Sequence, residues 1–319
     1  MIQKIRPIYL VGPTGIGKTK IALQLANKIS GEIISADAMQ VYRSLDIGTD
    51  KPTLQERCDI PHHLIDVVDI SESFNVAIFV SLAKSALEDI CKRGKLPIVV
   101  GGTGLYVRSL IDGIFDAESF ANVETDRDVE VRKRLVEYAH VKGYQALHQR
   151  LCEVDPEAAK AIHPHNVRRV IRALEVFENT GLPISGLHQQ WKNPDASAFI
   201  IGFNRNRKIL YQDINLRVDA MFDKGLVQEV SQLAEQGLES NKTVMQAIGY
   251  KEIIACLRGE FSEDEARDLI KRNSRRLAKR QLTWFRRDSR IQWIDLDHVD
   301  VEETIHIIIG HYKRSYTVC

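Results

Sequence analysis

Residues Gly12-Pro13-Thr14-Gly15-Ile16-Gly17-Lys18-Thr19 fit the pattern G-x-x-x-x-G-K-[ST] in full. Glycines at these positions let a chain turn tightly, so that its N–H groups point inward at the positive end of a following helix. Such a cradle holds phosphate. Lys18 would neutralise a terminal phosphate, and Thr19 would offer its hydroxyl to Mg2+. The pattern asks for phosphates and not for a nucleoside, so a diphosphate satisfies it as well as ATP does.

Two other segments place polar groups at the ends of apolar runs. Ile33-Ile34-Ser35-Ala36-Asp37 ends on a carboxylate, and Val99-Val100-Gly101-Gly102-Thr103 ends on glycines and a hydroxyl. Ligands of open parallel sheets bind beyond the carboxyl ends of the strands, which makes Asp37 and Thr103 candidates to face the ligand of the phosphate loop. The plainer readings are a helix cap at Asp37 and an ordinary tight turn at 101–104. Asp66, after His63-Leu64-Ile65, is a competing carboxylate for Mg2+. Sequence does not choose between the two acids.

The elements that must position these groups follow from periodicity. Strands are expected at 7–11, 32–35 and 96–100, with a possible one at 63–68, and helices at 20–29 and 78–93. Strand, helix, strand in this rhythm predicts an α/β fold, a P-loop-type parallel sheet with helices on both faces. From about residue 120 to 195 the rhythm vanishes. Helical spacing runs through 130–142, 144–154, 156–162 and 166–179, the last with Asn166 as N-cap and Gly181 just past its end. A strand at 198–203 resumes the sheet, followed by helices at 208–224, 226–236 and 264–286 and a late strand at 292–296. The expected organisation is an α/β core at 1–118, an inserted all-helical domain at 119–197, and the second part of the core at 198–319.

The chain has 319 residues, 44% hydrophobic and 27% charged, a folded rather than disordered profile. Its longest apolar runs, 96–100 and 305–309, are too short to cross a bilayer, and residues 1–12 lack a signal-peptide pattern. Five scattered cysteines with no CxxC pair suggest neither disulfides nor zinc. A reducing cytoplasm and no membrane partner are expected. The net charge of +1 is unevenly spread: residues 264–290 carry ten basic and four acidic side chains, so this segment is +6 and the remainder −5. Arg275, Lys279 and Arg280 lie where no acid interrupts the helix, from 271 to 287, which favours phosphate-backbone binding over a plain solvated face.

Taken together, these segments resemble the tRNA dimethylallyltransferases, also called tRNA isopentenyltransferases. The resemblance runs through the phosphate loop, Asp37-Ala38-Met39-Gln40-Val41-Tyr42, Asp46-Ile47-Gly48-Thr49 and Pro61-His62-His63-Leu64-Ile65-Asp66. It continues through Gly101-Gly102-Thr103-Gly104-Leu105-Tyr106, Ala247-Ile248-Gly249-Tyr250-Lys251-Glu252 and Leu277-Ala278-Lys279-Arg280-Gln281-Leu282-Thr283-Trp284-Phe285. It implies transfer of a dimethylallyl group from dimethylallyl diphosphate to the exocyclic amine of the adenine 3′ of the tRNA anticodon. By position, Asp37 would be the general base and Thr103 would help hold the reacting centre. The loop (Gly12, Pro13, Thr14, Gly15, Ile16, Gly17, Lys18, Thr19), Mg2+ and Arg217 would bind the diphosphate. Asp37, Ala38, Met39, Gln40, Asn166, Arg168, Arg169 and Arg172 match positions that meet the anticodon stem-loop. Ala38, Asp213 and Ser274 depart from the usual serine, arginine and threonine, and Asp213 weakens a paired-arginine clamp. No Cys/His finger follows the core, as in the bacterial form, and a monomer is expected. The phosphate loop alone would favour a small-molecule kinase, and the basic helix alone a non-catalytic RNA-binding module.

Overall fold

The structure, a computed structural model, describes residues 6–113, 126–187 and 195–316. It divides into two compact units, Met1–Ile111 with Ala196–Cys319, and Asp112–Asp195.

The first unit is built on six parallel strands in the order β3-β2-β4-β1-β5-β6. These are β1 (Ile8–Val11), β2 (Gly31–Ser35), β3 (His62–His63), β4 (Leu96–Gly101), β5 (Phe199–Asn204) and β6 (Gln292–Asp295). Ile8, Leu10, Ile33, Ile98, Ile201 and Phe203 are buried in one core, as strands covered on both faces require. Helix α1 (Lys18–Ile29) contributes Ile21 and Leu25 to that core. Helix α2 (Leu54–Asp59) is closed at its start by a capping box between Thr53 and Glu56, and α3 (Val76–Lys92) by the Asn75 side chain.

The strand expected at 63–68 stops at His63, beyond which only an isolated bridge joins Tyr42 to Val68. Leu64 and Asp66 have φ of 63° and 56°, a left-handed backbone that ends extended pairing. Among the described residues five α-helices went unread in the sequence: α2, α4 (Gly104–Asp112), Ile184–Leu187, Tyr250–Leu257 and Val301–Tyr316.

The second unit is helical among its described residues: α5 (Asp126–Lys142), α6 (Tyr144–Val154), α7 (Pro156–Ala161) and α8 (Val167–Thr180), then a short four-residue helix at Ile184–Leu187. It has its own core around Leu135, Leu147, Leu151, Val170 and Leu174. Buried Glu175 accepts from Arg132 Nε at 2.5 Å, which satisfies a carboxylate that would otherwise be costly to bury. Asn166 occupies the N-cap position of α8, but its side chain makes no capping bond. Gly181 closes the other end at φ 72°.

Back in the first unit, α9 (Arg207–Asp223), α10 (Leu226–Glu235), α11 (Tyr250–Leu257) and α12 (Glu263–Phe285) follow β5, and α13 (Val301–Tyr316) follows β6. No helix among the described residues is long and apolar enough to cross a membrane.

Candidate active site

Val11 pairs with Gly101, and Ser35 with Val100, so the carboxyl ends of β1, β4 and β2 lie level. The turns leaving them must therefore meet. The turns after β2 and β4 are joined by hydrogen bonds: Ala36 N–H donates to Val100 O at 2.8 Å, and Ala38 N–H to Thr103 Oγ1 at 3.2 Å. Asp37 Oδ1 accepts from Met39 N–H at 2.8 Å and Gln40 N–H at 3.4 Å. That oxygen caps its own turn, while Oδ2 accepts no hydrogen bond among the described residues. Gln40 is a tie between loops: its Oε1 accepts from Ser35 Oγ at 2.8 Å, and its Nε2 donates to Thr49 O at 3.3 Å.

The phosphate loop is braced from the far end of the chain. Gln281 Oε1 accepts from Thr14 N–H at 2.8 Å, and Arg217 donates to Thr14 Oγ1 at 2.9 Å. A Cβ at Gly102 would come 2.4 Å from Gln281 Nε2, so glycine there is what lets that side chain through. Lys18 donates to Gly12 O at 3.0 Å and Pro13 O at 2.8 Å. Burial pushes its ammonium down to about 8; Asp37 opposes the shift and Arg217 adds to it.

Asp66 is otherwise engaged. Its two oxygens accept from Lys51 at 2.6 Å and Arg57 at 2.5 Å. Burial alone would raise its carboxyl, but these two cations hold it below the usual range. Asp37, by contrast, lines two adjoining cavities. One, of about 640 Å³, runs past Lys18, Thr19, Gln40, Arg217 and Gln281. The other, about 110 Å³, is walled by Ile214, Val218, Met221, Ile248, Ile270 and Leu277. Thr14, Asp37, Thr49 and Arg217 border both. A polar cavity along the 12–19 loop thus opens beside a small apolar chamber, with a carboxylate at the junction.

A family model described as "IPP transferase" matches residues 40–288, and a second, "Isopentenyl transferase", matches 5–71. The chain belongs to the IPP transferase family. It is 47% identical to the tRNA dimethylallyltransferase of Acetivibrio thermocellus over 314 residues, 98% of each chain. It is 47% identical to that of Carboxydothermus hydrogenoformans over 304 residues, 95% of this chain and 96% of the other. Among solved structures it resembles the tRNA isopentenylpyrophosphate transferase of Bacillus halodurans, with TM-score 0.70 and 43% identity over 98% of this chain and 97% of that one. A eukaryotic dimethylallyltransferase acting on tRNA aligns with TM-score 0.80 and 30% identity, covering 98% of this chain and 80% of that one.

Against this family frame, the remaining sequence candidates separate. Met39 lines the apolar chamber. Arg275 donates to Asn215 Oδ1 at 2.5 Å on α9, whereas Lys279 and Arg280 are exposed. Asn166, Arg168, Arg169 and Arg172 lie exposed at the start of α8, Arg172 also reaching Glu175 at 3.4 Å. Asp213 pairs with Arg205 at 2.7 Å instead of joining Arg217.

Glu229 and the bracing role of Gln281 escaped sequence reasoning. Glu229 accepts from the amides of Asp46 (3.1 Å), Ile47 (2.7 Å) and Gly48 (3.2 Å) and from the Tyr250 hydroxyl (2.7 Å). It fixes the segment that carries Thr49 and Asp50 to the site. Its amide partners lie some 180 residues away in sequence, where no local spacing could reveal the contact.

Proposed function

We propose that this protein transfers the dimethylallyl group of dimethylallyl diphosphate to the exocyclic amine of the adenine 3′ of the anticodon in tRNA. The observation that carries the proposal is the junction at Asp37, where the phosphate cradle and the apolar chamber meet. The diphosphate would lie on the loop amides of residues 12–19, with Lys18 and Arg217 as its cations. The five-carbon tail, which needs no polar partner, would enter the chamber, and the adenine would arrive from the open side of the larger cavity.

In the step itself, the bond between C1 of the donor and its diphosphate oxygen breaks and a bond from C1 to the adenine amine forms. The amine lone pair is delocalised into the ring, so the amine attacks well only as it loses a proton. Asp37 Oδ2 accepts that proton, and Thr103, already bonded to the Asp37 turn through Ala38, holds the carboxylate in place. Lys18 and Arg217 meet the charge that builds on the departing diphosphate. The base must leave its stack to reach the site, which a single-stranded anticodon loop makes easy.

The donor set fits Mg2+. The Thr19 hydroxyl lies on the same cavity as the phosphate loop and would be the protein's oxygen ligand, and Mg2+ is commonly held by few protein oxygens together with substrate phosphates and water. Among the described residues no cluster of acids, histidines and cysteines could hold a metal alone, which suits an ion that arrives on the diphosphate. When bound, Mg2+ would neutralise charge on the leaving group. Asn166, Arg168 and Arg169, with the exposed cations Lys279 and Arg280, would contact tRNA phosphates. The enzyme would act as a monomer in the cytoplasm, where its substrate is made.

Incubation with unmodified tRNA, donor and Mg2+, followed by mass spectrometry of the nucleosides, tests the reading. A single adenosine per tRNA should gain the mass of a five-carbon unit. ATP hydrolysis without prenylation would point to a kinase, and tRNA binding without product to a binding module.

A further inference from the structure

The apolar chamber beside Asp37 has a defined depth. Its walls are two antiparallel stripes: Ile214, Val218 and Met221 on α9, and Leu277, Ser274 and Ile270 on α12, each spaced to one helix face. Cross-contacts fix their register. Asn215 meets Arg275, Asp219 meets Lys271 at 2.6 Å, and Phe222 lies 4.4 Å under the Arg267 guanidinium. The mouth is at the Ile214 and Leu277 end, because a Cβ at Gly15 would come 2.7 Å from Ile214 and Gln281 grips the phosphate loop one turn beyond Leu277. The deep end is therefore at Met221 and Ile270, which are 7% and 2% exposed.

Dimensions then select the ligand. Arg217, at the mouth, and Met221 are four residues apart on one helix, about 6 Å along its axis. An apolar cavity of about 150 Å³ takes a benzene, six carbons, and this chamber measures about 110 Å³. Below its junction with the larger cavity it has room for a branched five-carbon chain and too little for a chain twice as long. We propose that Met221 and Ile270 form the floor that limits the donor to five carbons, making them specificity-determining residues of the transfer. This rests on the prenyl-transfer reading given above.

Methionine is a compliant floor residue, since its removal leaves space without disturbing a hydrogen bond. The Tyr250 wall is different, because its hydroxyl holds Glu229 and through it the 46–48 segment.

The test compares kcat/KM for dimethylallyl diphosphate and geranyl diphosphate, with saturating tRNA and Mg2+. Wild type should use the ten-carbon donor at least 100-fold less well. Met221→Ala, and Ile270→Ala as a second variant, should raise the ten-carbon to five-carbon ratio at least tenfold. Met221→Phe should raise the KM for dimethylallyl diphosphate severalfold while the KM for tRNA and inhibition by inorganic pyrophosphate stay near wild type. Thermal melts confirm that each variant used is folded. Wild-type use of both donors within threefold, or a ratio unmoved in both alanine variants, would overturn the proposal. So would Met221→Phe raising the KM for tRNA and not for donor, which would make the chamber a site for the base. If wild type prenylates no tRNA with the five-carbon donor, the broader reading fails first, and the two failures are distinct.

Discussion

Lys18 carries the sharpest chemical expectation because its proton is held loosely. Its ammonium is pushed down to about 8 in the folded protein, against an ordinary 10.5, chiefly by burial. If that charge meets the donor's diphosphate as proposed, kcat/KM for donor should fall as pH rises through about 8, and Lys18→Arg, if active, should move that limb upward; a flat profile to pH 10 would remove Lys18 from the charge-neutralising role. Stability runs the other way. Because the folded state binds fewer protons than the unfolded one between about 8 and 10.5, this group's penalty is full below 8 and relieved as pH rises through that window. Melting curves should therefore show Lys18→Met gaining on wild type at pH 7 and losing that advantage towards pH 10.5. At Asp37, the free Oδ2 predicts that Asp37→Asn slows single-turnover transfer by roughly 10²-fold or more while donor affinity barely changes. The matching change Asp66→Asn should act on folding instead, since both its oxygens are ion-paired; a catalytic defect confined to Asp66→Asn would reverse these assignments.

Helix α12 shows how one element divides its residues between structure and solvent. Arg267, Lys271 and Arg275 turn towards α9, where Asp219 and Asn215 receive them. Arg272, Arg276, Lys279 and Arg280 are exposed and make no ion pair among the described residues. If that outer row meets tRNA phosphate, replacing Arg276 and Lys279 by alanine should flatten the plot of log affinity against log salt by roughly one to two units. Arg275→Ala should leave the slope unchanged and cost some stability, and equal slopes throughout would place the tRNA elsewhere. The charge run was plain in the sequence, but its split into inner and outer faces was not, because only the packing of α9 decides it. The same holds elsewhere. The loop at 12–19 and the strands beside it could be read directly, since glycine turns and β-branched runs are local signals. The strand expected at 63–68 failed because Leu64 and Asp66 adopt left-handed backbone held by distant partners, Lys51 and Arg57 in the case of Asp66. Helix α11 is only eight residues long, too short for periodicity to emerge. Gln281 lies 267 residues from the amide it holds. Its loss in Gln281→Ala should loosen the phosphate loop and lower kcat/KM for donor about tenfold with tRNA affinity intact, which competition binding with pyrophosphate would check.

For the molecule as a whole, the helical unit is a self-contained insertion. Its core is separate, and its two ends meet where Asp195 N–H donates to Asp112 Oδ1 at 3.1 Å. A chain with 112–195 replaced by a short glycine-serine linker should still fold and bind dimethylallyl diphosphate within about threefold, while tRNA affinity drops at least tenfold; calorimetry with each ligand decides, and loss of donor binding would show that the sheet depends on the insertion. Strand β1 lies between β4 and β5, and its second neighbour is first reached at Phe199. Roughly a hundred residues separate the end of β4 from that point, and at ~5–20 residues per second the ribosome needs on the order of 5–20 s to make them. Throughout that interval a strand whose four residues are all buried in the finished enzyme has one side with no partner, and it carries the uninterrupted Ile8-Tyr9-Leu10-Val11 run. The emerging polypeptide is thus most exposed to mispairing while the insertion is being made, which makes the birth of this protein, more than its mature state, the stage at which a chaperone matters.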